Sequence, residues 1–112
     1  MNGDLASISS YAEQMTIIAN EPKRTVYWIG LKRTNGKWTW VDGTSSSWRH
    51  WWYGSPDSHP EGGCAVIDNN GSKETGWSNS RCKMSWGYIC EYKGNKLTLF
   101  LYLGYFGGTE ID

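Results

Sequence analysis

The sequence has no excess of either charge. Eleven basic residues balance eleven acidic residues in the 112-residue chain, so the formal net charge is zero. Attraction to nucleic acid or to an anionic membrane surface needs a strong positive excess. The composition therefore argues against nucleic acid and lipid as partners held by bulk electrostatics.

Long apolar runs, internal repeats and low-complexity segments are also absent. The most apolar stretch, residues 96–103, is shorter than the roughly 20 residues that cross a membrane, so no membrane span is expected. No basic flank followed by an apolar run begins the sequence, so we expect that a signal peptide was removed or lies outside this sequence. A chain of this length holds one domain with one core.

Cysteine is scarce and its count is odd. The three cysteines, Cys64, Cys82 and Cys90, allow one disulfide and leave one thiol over. Aromatic residues and glycine are abundant instead, with eight Trp, seven Tyr and fourteen Gly. This balance is typical of a small, loop-rich fold with aromatic side chains in its core and on its binding face.

Local patterns predict one helix and several strands. A Ser-x-x-Glu capping box at residues 10–13 predicts a helix over residues 11–19. Residues rich in Val, Ile, Tyr and Trp predict strands over residues 25–31, 37–41, 64–67 and 87–92. Asn35-Gly36 predicts a hairpin turn between the first two strands.

Two segments between these elements lack a periodic pattern. Residues 42–63 form a long loop, and long loops in compact domains are usually functional. Residues 68–80 are turn-rich, with Asn70-Gly71 at their tip.

A set of short motifs resembles those of the C-type lectin-like domain, whose signposts are WIGL, a loop tripeptide EPN or QPD, WND, and closing cysteines. The matching segments are Trp28-Ile29-Gly30-Leu31, Ser55-Pro56-Asp57, Trp77-Ser78-Asn79 and Tyr88-Ile89-Cys90-Glu91, with Cys64 and Cys82 between them. The resemblance covers residues 3–92. It implies an α+β fold with antiparallel sheets, one helix near the N-terminus and a long irregular loop.

The resemblance also predicts how the chain is divided. Residues 1–92 form the lectin-like domain, without the first strand, first helix and first cysteine of its usual form. Residues 93–112 are an apolar extension. We expect residues 96–102 to fold back on the final strand through a Gly94-Asn95 turn and to fill the edge that the missing strand leaves. The alternative is an exposed tail, or one that pairs between chains.

The resemblance implies that Cys64 and Cys82 form a disulfide. Cys90 matches an outer cysteine whose partner would precede Gly3. Two interpretations of Cys90 stay open: a buried reduced thiol, or an intermolecular disulfide that makes a dimer.

Several positions at which the family holds calcium are changed here. The side-chain oxygens remaining at the family's positions belong to Ser55, Asp57, Glu61, Ser78 and Asn79. Asp57 matches the QPD form, which the family associates with galactose-type sugars, and Pro56 is expected to follow a cis bond. Glu61 lies one residue too early for the family's acid. Asn79 replaces an acid.

Calcium is therefore expected to bind weakly or not at all, with Asp57, Glu61 and Asn79 as its remaining ligands, because affinity grows with the number of negative ligands. Two other interpretations stay open. Asp57 and Glu61 are solvated loop acids, or they hold zinc together with His59.

The expected carbohydrate site lies on the long loop and beside it. Its residues are Ser55, Asp57, Glu61, Trp52, Ser78 and Asn79. Among the aromatics that crowd this loop, Trp51 is expected to support it from the core. For the others two roles stay open, stacking on a sugar ring, which is the role expected for Trp52 in the carbohydrate site, or anchoring a protein interface. The tryptophans expected in the core or in strands are Trp28, Trp38, Trp40, Trp77 and Trp86.

The resemblance implies a secreted carbohydrate-binding lectin that recognises microbial or cell-surface glycans, of galactose type or from microbial cell walls, as in the pattern recognition of innate immunity. The rival interpretation is a calcium-independent protein-binding module, and a weaker one is membrane damage by the apolar tail. An enzyme is not expected, because the adjacency of Ser58 and His59 in sequence does not make a catalytic triad.

Overall fold

The computed structural model describes residues 4–20, 25–70, 75–84, 87–92 and 95–99. Within these residues the chain forms one helix and seven strands. They are β1 (Asp4–Leu5), α1 (Tyr11–Asn20), β2 (Thr25–Thr34), β3 (Lys37–Trp40), β4 (Cys64–Asn69), β5 (Trp77–Ser80), β6 (Gly87–Tyr92) and β7 (Asn95–Leu99). The expected α+β fold with one helix near the N-terminus is confirmed.

The helix α1 begins at the predicted capping box. The Glu13 N–H donates to Ser10 Oγ at 3.1 Å, which satisfies one of the exposed donors of the first turn. The Glu13 carboxylate accepts a hydrogen bond from the N–H of Ser9, one residue before the cap, at 3.3 Å. In the described part of the chain, no helix is long and apolar enough to cross a membrane.

The strands form one sheet in the order β1-β6-β2-β4-β5, with β3 also paired to β2 and β7 to β6. The pairings are antiparallel except for β2 with β6, which run parallel at Tyr27–Gly87 and Trp28–Tyr88. The sequence did not predict this parallel pairing. Strands that are distant in the sequence can pair in parallel because a long connection returns the chain to the same end of the sheet.

The turn-rich interpretation of residues 68–80 is wrong at both ends. β4 continues through Asp68 to Asn69, and β5 occupies Trp77–Ser80. β5 pairs with β4 in an antiparallel register that places Cys64 opposite Ser80. The Trp-Ser-Asn-Ser segment has only one residue that favours strands, so burial of Trp77 and pairing with β4 determine its conformation.

Trp77 is the centre of an aromatic cluster beneath the long loop. Its ring is fully buried, and the rings of Trp40, Trp48 and Trp51 meet it edge-on at centroid distances of 5.6, 5.6 and 5.8 Å. Such edge-to-face pairs add to the stabilisation that burial provides. Trp28 is buried on a second, smaller cluster. The expected core position of Trp86 lies outside the described residues.

The C-terminal extension contains a strand. β7 pairs with β6 from Tyr92–Asn95 to Tyr88–Leu99. Because β7 covers this whole stretch, β1 and β2 must lie along the opposite edge of β6. The predicted turn is wrong at Asn95, which already belongs to β7 and pairs with Tyr92, and its other residue, Gly94, lies outside the described residues. The predicted continuation over residues 100–102 lies outside the described residues.

Candidate functional site

The long loop between β3 and β4 is tied to β5 in its middle. The Trp77 N–H donates to the carbonyl of His50, and the Trp77 carbonyl accepts from the N–H of Trp52, both at 2.8 Å. Between them, Trp51 forms an isolated parallel bridge with Trp77. Trp51 therefore lies under the loop, in the supporting position that the resemblance implied.

A charged side chain holds the first half of the loop. The Arg49 guanidinium donates from Nη1 to the carbonyls of Ser46 and Trp48, each at 2.9 Å, and from Nη2 to that of Trp38 at 3.0 Å. It also lies over the Trp40 ring, 5.6 Å from the centroid. Burial lowers the pKa of Arg49 from its ordinary value, but a guanidinium stays charged at neutral pH.

The two aromatic residues at the loop's turn have different environments. Trp52 is half-buried against Gly76, where an added Cβ would lie 2.8 Å from the Trp52 main-chain nitrogen and 3.1 Å from its ring. Only glycine permits this approach. Tyr53 is fully exposed, with 105% relative accessibility. Tyr53 is therefore the more exposed of the two aromatic residues.

Asp57 follows a cis bond between Ser55 and Pro56, as the resemblance implied. The Asp57 N–H donates to Asn79 Oδ1 at 2.9 Å. Asn79 Nδ2 in turn donates to Asp57 Oδ1 at 2.8 Å and lies 3.3 Å from the Asp57 carbonyl. The loop is thus joined to β5 through one amide side chain.

The Asn79 amide nitrogen has a third acceptor, the carbonyl of Gly62, at 3.0 Å. Three oxygen atoms from two parts of the loop therefore converge on one N–H₂ group. A Cβ on Gly62 would collide with this nitrogen, so the arrangement requires glycine at that position.

Hydrogen bonding shifts the ionisation of Asp57. The Asn79 side chain, and next the N–H of His59, which donates to Asp57 Oδ1 at 3.0 Å, hold the pKa of the Asp57 carboxyl below its usual range. Both donors stabilise the ionised form. Asp57 is consequently an exposed, fully charged carboxylate at neutral pH.

Arg33 secures the same loop from β2. Its guanidinium donates to the main-chain carbonyls of Asp57 and His59 and lies 5.5 Å from the Trp38 ring centroid. His59 Nδ1 accepts the N–H of Glu61 at 3.1 Å, so the neutral His59 ring carries its proton on Nε2.

A shallow depression of about 260 Å³ lies beside the Asp57–Asn79 contact. Its described lining residues are Asp57, His59, Gly62, Asn79, Ser80 and Arg81. Asp57 and Asn79 were expected in the site. Ser55, Ser78 and Trp52 do not line this depression, and Glu61 instead pairs with Arg81, with Oε2 and Nε 2.9 Å apart.

His59, Ser80 and Arg81 were not among the residues expected in the site. His59 lies within the loop that the resemblance singled out, and Ser80 and Arg81 directly follow the expected Asn79. Their position next to expected site residues was therefore the available signal. Nothing in their residue types distinguishes them from ordinary surface side chains.

The loop oxygens do not fit a calcium ion. Asp57 Oδ1 faces two N–H donors, Asn79 Oδ1 accepts a third N–H, and Glu61 is paired with Arg81. Calcium needs six to eight oxygen ligands that converge on it. Among the described residues no group of three or more His, Cys, Asp or Glu side chains could hold a metal ion. His59, Asp57 and Glu61 therefore do not form the zinc site that the second interpretation requires. Weak calcium binding stays a prediction.

A disulfide closes the base of the loop region. Cys64 and Cys82 are joined with their Cα atoms 5.2 Å apart. Cys90 is therefore bonded to neither. Its side chain lies outside the described part of the chain, so both interpretations of its thiol stay predictions.

The chain is similar to known C-type lectins. The sequence profile described as Lectin C-type domain matches residues 1–92. Mouse asialoglycoprotein receptor 2 is 33% identical over 102 residues, which are 84% of this chain and 32% of the receptor. The galactose-specific lectin nattectin of Thalassophryne nattereri is 34% identical over 97 residues, covering 79% of this chain and 58% of nattectin.

Among solved structures, a calcium-independent type II antifreeze protein superposes with a TM-score of 0.70 at 27% identity, covering 88% of this chain and 70% of the other. The chain spans about a third of the length of the receptor it matches. The similarity therefore concerns one domain of such receptors.

Proposed function

Because the chain belongs to the C-type lectin family, we propose that it is a secreted carbohydrate-binding protein that recognises microbial or cell-surface glycans without a bridging calcium ion. The depression beside Asp57 and Asn79 is the proposed sugar site. Family membership supports the class of ligand, and the local hydrogen bonding supports the independence from calcium.

One observation carries the proposal: the Asp57 carboxylate is exposed at the depression and is held there by fixed partners. Asn79 and the His59 N–H bind Oδ1, and the Arg33 guanidinium binds the Asp57 carbonyl. Within the described residues Oδ2 has no hydrogen-bond donor, so it is available to a sugar hydroxyl. An acceptor that is already positioned loses little entropy when it binds a ligand.

The hydrogen bonding of Asn79 supports the proposed independence from a metal. The Asn79 N–H₂ group donates to three oxygens, the Asp57 carboxylate and the carbonyls of Asp57 and Gly62, and so links the two parts of the loop through hydrogen bonds alone. A structural neighbour of this fold is described as calcium-independent, which supports the idea that the fold can function in this way.

We further propose a galactose-type or microbial cell-wall sugar as the ligand. Asp57 matches the loop form associated with galactose, and one relative is named as galactose-specific. The disulfide between Cys64 and Cys82 supports secretion, because such bonds persist in oxidising compartments.

The proposed role is binding without catalysis. The Nδ1 atom of His59 accepts the Glu61 N–H. It is therefore engaged away from the neighbouring Ser58 hydroxyl that a catalytic base would have to activate.

The experiment is a glycan array probed once with calcium and once with a chelator, using the full chain. We expect the same glycans to be bound in both conditions. Asp57→Ala should weaken binding about tenfold or more, because it removes charge-assisted hydrogen bonds. Asp68→Ala is the matched control, since Asp68 is an exposed acid on β4. Full binding by Asp57→Ala, or binding that requires calcium, would contradict the proposal.

A protein-binding module is the second candidate, and the full exposure of Tyr53 favours it. Tyrosine is a frequent anchor of protein interfaces. Binding to intact cells distinguishes the two functions. Glycan recognition is lost after mild periodate oxidation of the cells, whereas protein recognition is lost after protease treatment and with Tyr53→Ala.

A further inference from the structure

A second depression lies next to the proposed sugar site. It has a volume of about 490 Å³, and its described lining residues are Glu61, Arg81, Cys82, Lys83 and Met84. Arg81 lines both depressions, so the two adjoin. Together the two depressions offer room for a ligand longer than one sugar.

The charged groups of the second depression are unequal in number. Arg81 and Lys83 contribute two cations, and Glu61 is the acid among its described lining residues. Glu61 contacts Arg81 through Nε, which leaves both terminal nitrogens of the guanidinium without a hydrogen-bond acceptor among the described residues. Lys83 is exposed and has no ion pair there either. Because the whole chain has no net charge, this positive excess is local.

The two cations are carried on a fixed turn. The Met84 N–H donates to the Arg81 carbonyl at 3.2 Å. Between the two cations, Cys82 is bonded to Cys64, which is fully buried in β4. The main chain that carries the cations is therefore anchored to the sheet, and a ligand meets them already gathered on one side.

We propose that this second depression binds the acidic group of a glycan whose neutral sugar occupies the first depression. The inference rests on the proposed carbohydrate function and specifies its ligand class as acidic oligosaccharides. Two terminal guanidinium nitrogens can pair with two oxygens of a carboxylate or sulfate ester, and an ammonium adds a point charge beside them. Met84, which is 41% exposed, offers apolar surface to the C–H face of a sugar.

The test uses three forms of one galactose-terminated disaccharide: neutral, sulfated, and oxidised to the uronic acid. Affinities are measured by isothermal titration with the full chain at low salt. We expect each acidic form to bind about fivefold more tightly than the neutral form, the upper end for exposed ion pairs. Lys83→Gln should lower this ratio towards one. The preferred acidic form identifies whether carboxylate or sulfate is the better ligand.

Lys37→Gln is the matched control, because Lys37 is an exposed lysine on β3 and its loss changes the net charge equally. Glu61→Gln should raise the ratio, since it removes the anion that competes for Arg81. The inference is overturned if the neutral and acidic forms bind equally, if Lys37→Gln lowers the ratio as much as Lys83→Gln, or if Glu61→Gln lowers it. In the first of these cases the proposed function still stands. If none of the three forms binds and the array is also negative, the proposed function itself is overturned.

Discussion

Asn79 and Asp57, 22 residues apart in the sequence, are joined by three hydrogen bonds that use both polar atoms of the Asn79 side chain. The amide oxygen accepts from the Asp57 main chain, and the amide nitrogen donates to the Asp57 side chain and carbonyl. A neutral side chain thus closes the loop at the position where the family would place an acid and a metal ion. The predictions on calcium and on pH both depend on this contact.

The first prediction concerns calcium. In the native protein, titration calorimetry should find no calcium binding tighter than about the millimolar range of weak extracellular sites. The variant Asn79→Asp should behave differently, because it replaces the N–H₂ donor by a second carboxylate facing Asp57. Without a cation the two acids repel each other, and with calcium they become ligands together with the Gly62 carbonyl. We expect the melting temperature of this variant to rise on adding calcium.

The native protein is the reference for that measurement, and its melting temperature should be the same with calcium and with chelator. A second control is Ser47→Asp, which adds an acid at an exposed position of the same long loop. A calcium-induced rise in the native protein would show that other groups supply ligands. An unchanged Asn79→Asp variant would show that the three oxygens do not converge closely enough for a metal.

The second prediction concerns pH. The pKa of Asp57 is held below its usual range chiefly by Asn79. The contact between Asp57 and Asn79 is therefore at full strength at pH values above the ordinary pKa of a carboxyl group. It is lost as the pH falls through the lowered pKa of Asp57, because protonation favours the unfolded or open state. In Asn79→Ala, the pKa of Asp57 should move up towards its ordinary value. Carboxyl-carbon NMR shifts measure the pKa of Asp57 directly, with Ser47→Ala as the control. If Asp57 titrates in Asn79→Ala as it does in the native protein, Asn79 is not the cause of the lowered pKa.

The third prediction concerns a buried link between the helix and the loop region. Gln14 is fully buried, donates to the Thr75 carbonyl at 2.8 Å, and accepts from Trp77 Nε1 at 3.0 Å. Gln14→Met keeps the size of the side chain but leaves both partners unsatisfied, at about 1–3 kcal/mol of unfolding free energy for each. Urea denaturation measures the loss. Thr16→Ala, at an exposed position of the same helix, should change stability by no more than about 0.5 kcal/mol.

Several elements could be predicted from local sequence because their local and tertiary preferences agree. The capping box marks the start of α1, and the Val-, Tyr- and Trp-rich segment of β2 is strand-like on its own. β5 has no such local signal. It forms because Trp77 needs burial and because β4 offers an open edge, and both conditions exist only in the folded protein.

The residues of the site likewise differ in whether the sequence could identify them. Asp57 and Asn79 could be singled out because their motifs resemble those of a known family. Arg33 and Gly62 could not, since Arg33 reaches the loop from 24 residues away and Gly62 matters only through its distance from the Asn79 side chain. Arg81 joins two depressions, and this too is a property of the surface that neighbouring residues build. Sequence patterns identify residue types, while the fold determines which side chains meet.

The last prediction concerns the C-terminal extension. The five residues of β7 pair with β6 along one edge, so removing residues 95–112 exposes a row of unpaired main-chain groups on a strand next to the core. We expect the truncated protein to lose its cooperative melting transition or to aggregate. Circular dichroism and light scattering measure the two outcomes. A shorter deletion, of residues 104–112, keeps β7 and is the control.

A long truncation that stays monomeric and melts at the native temperature would show that β7 is dispensable. In the full chain, slow hydrogen exchange within residues 95–99 would support the strand, and light scattering at low concentration would separate pairing within one chain from pairing between two.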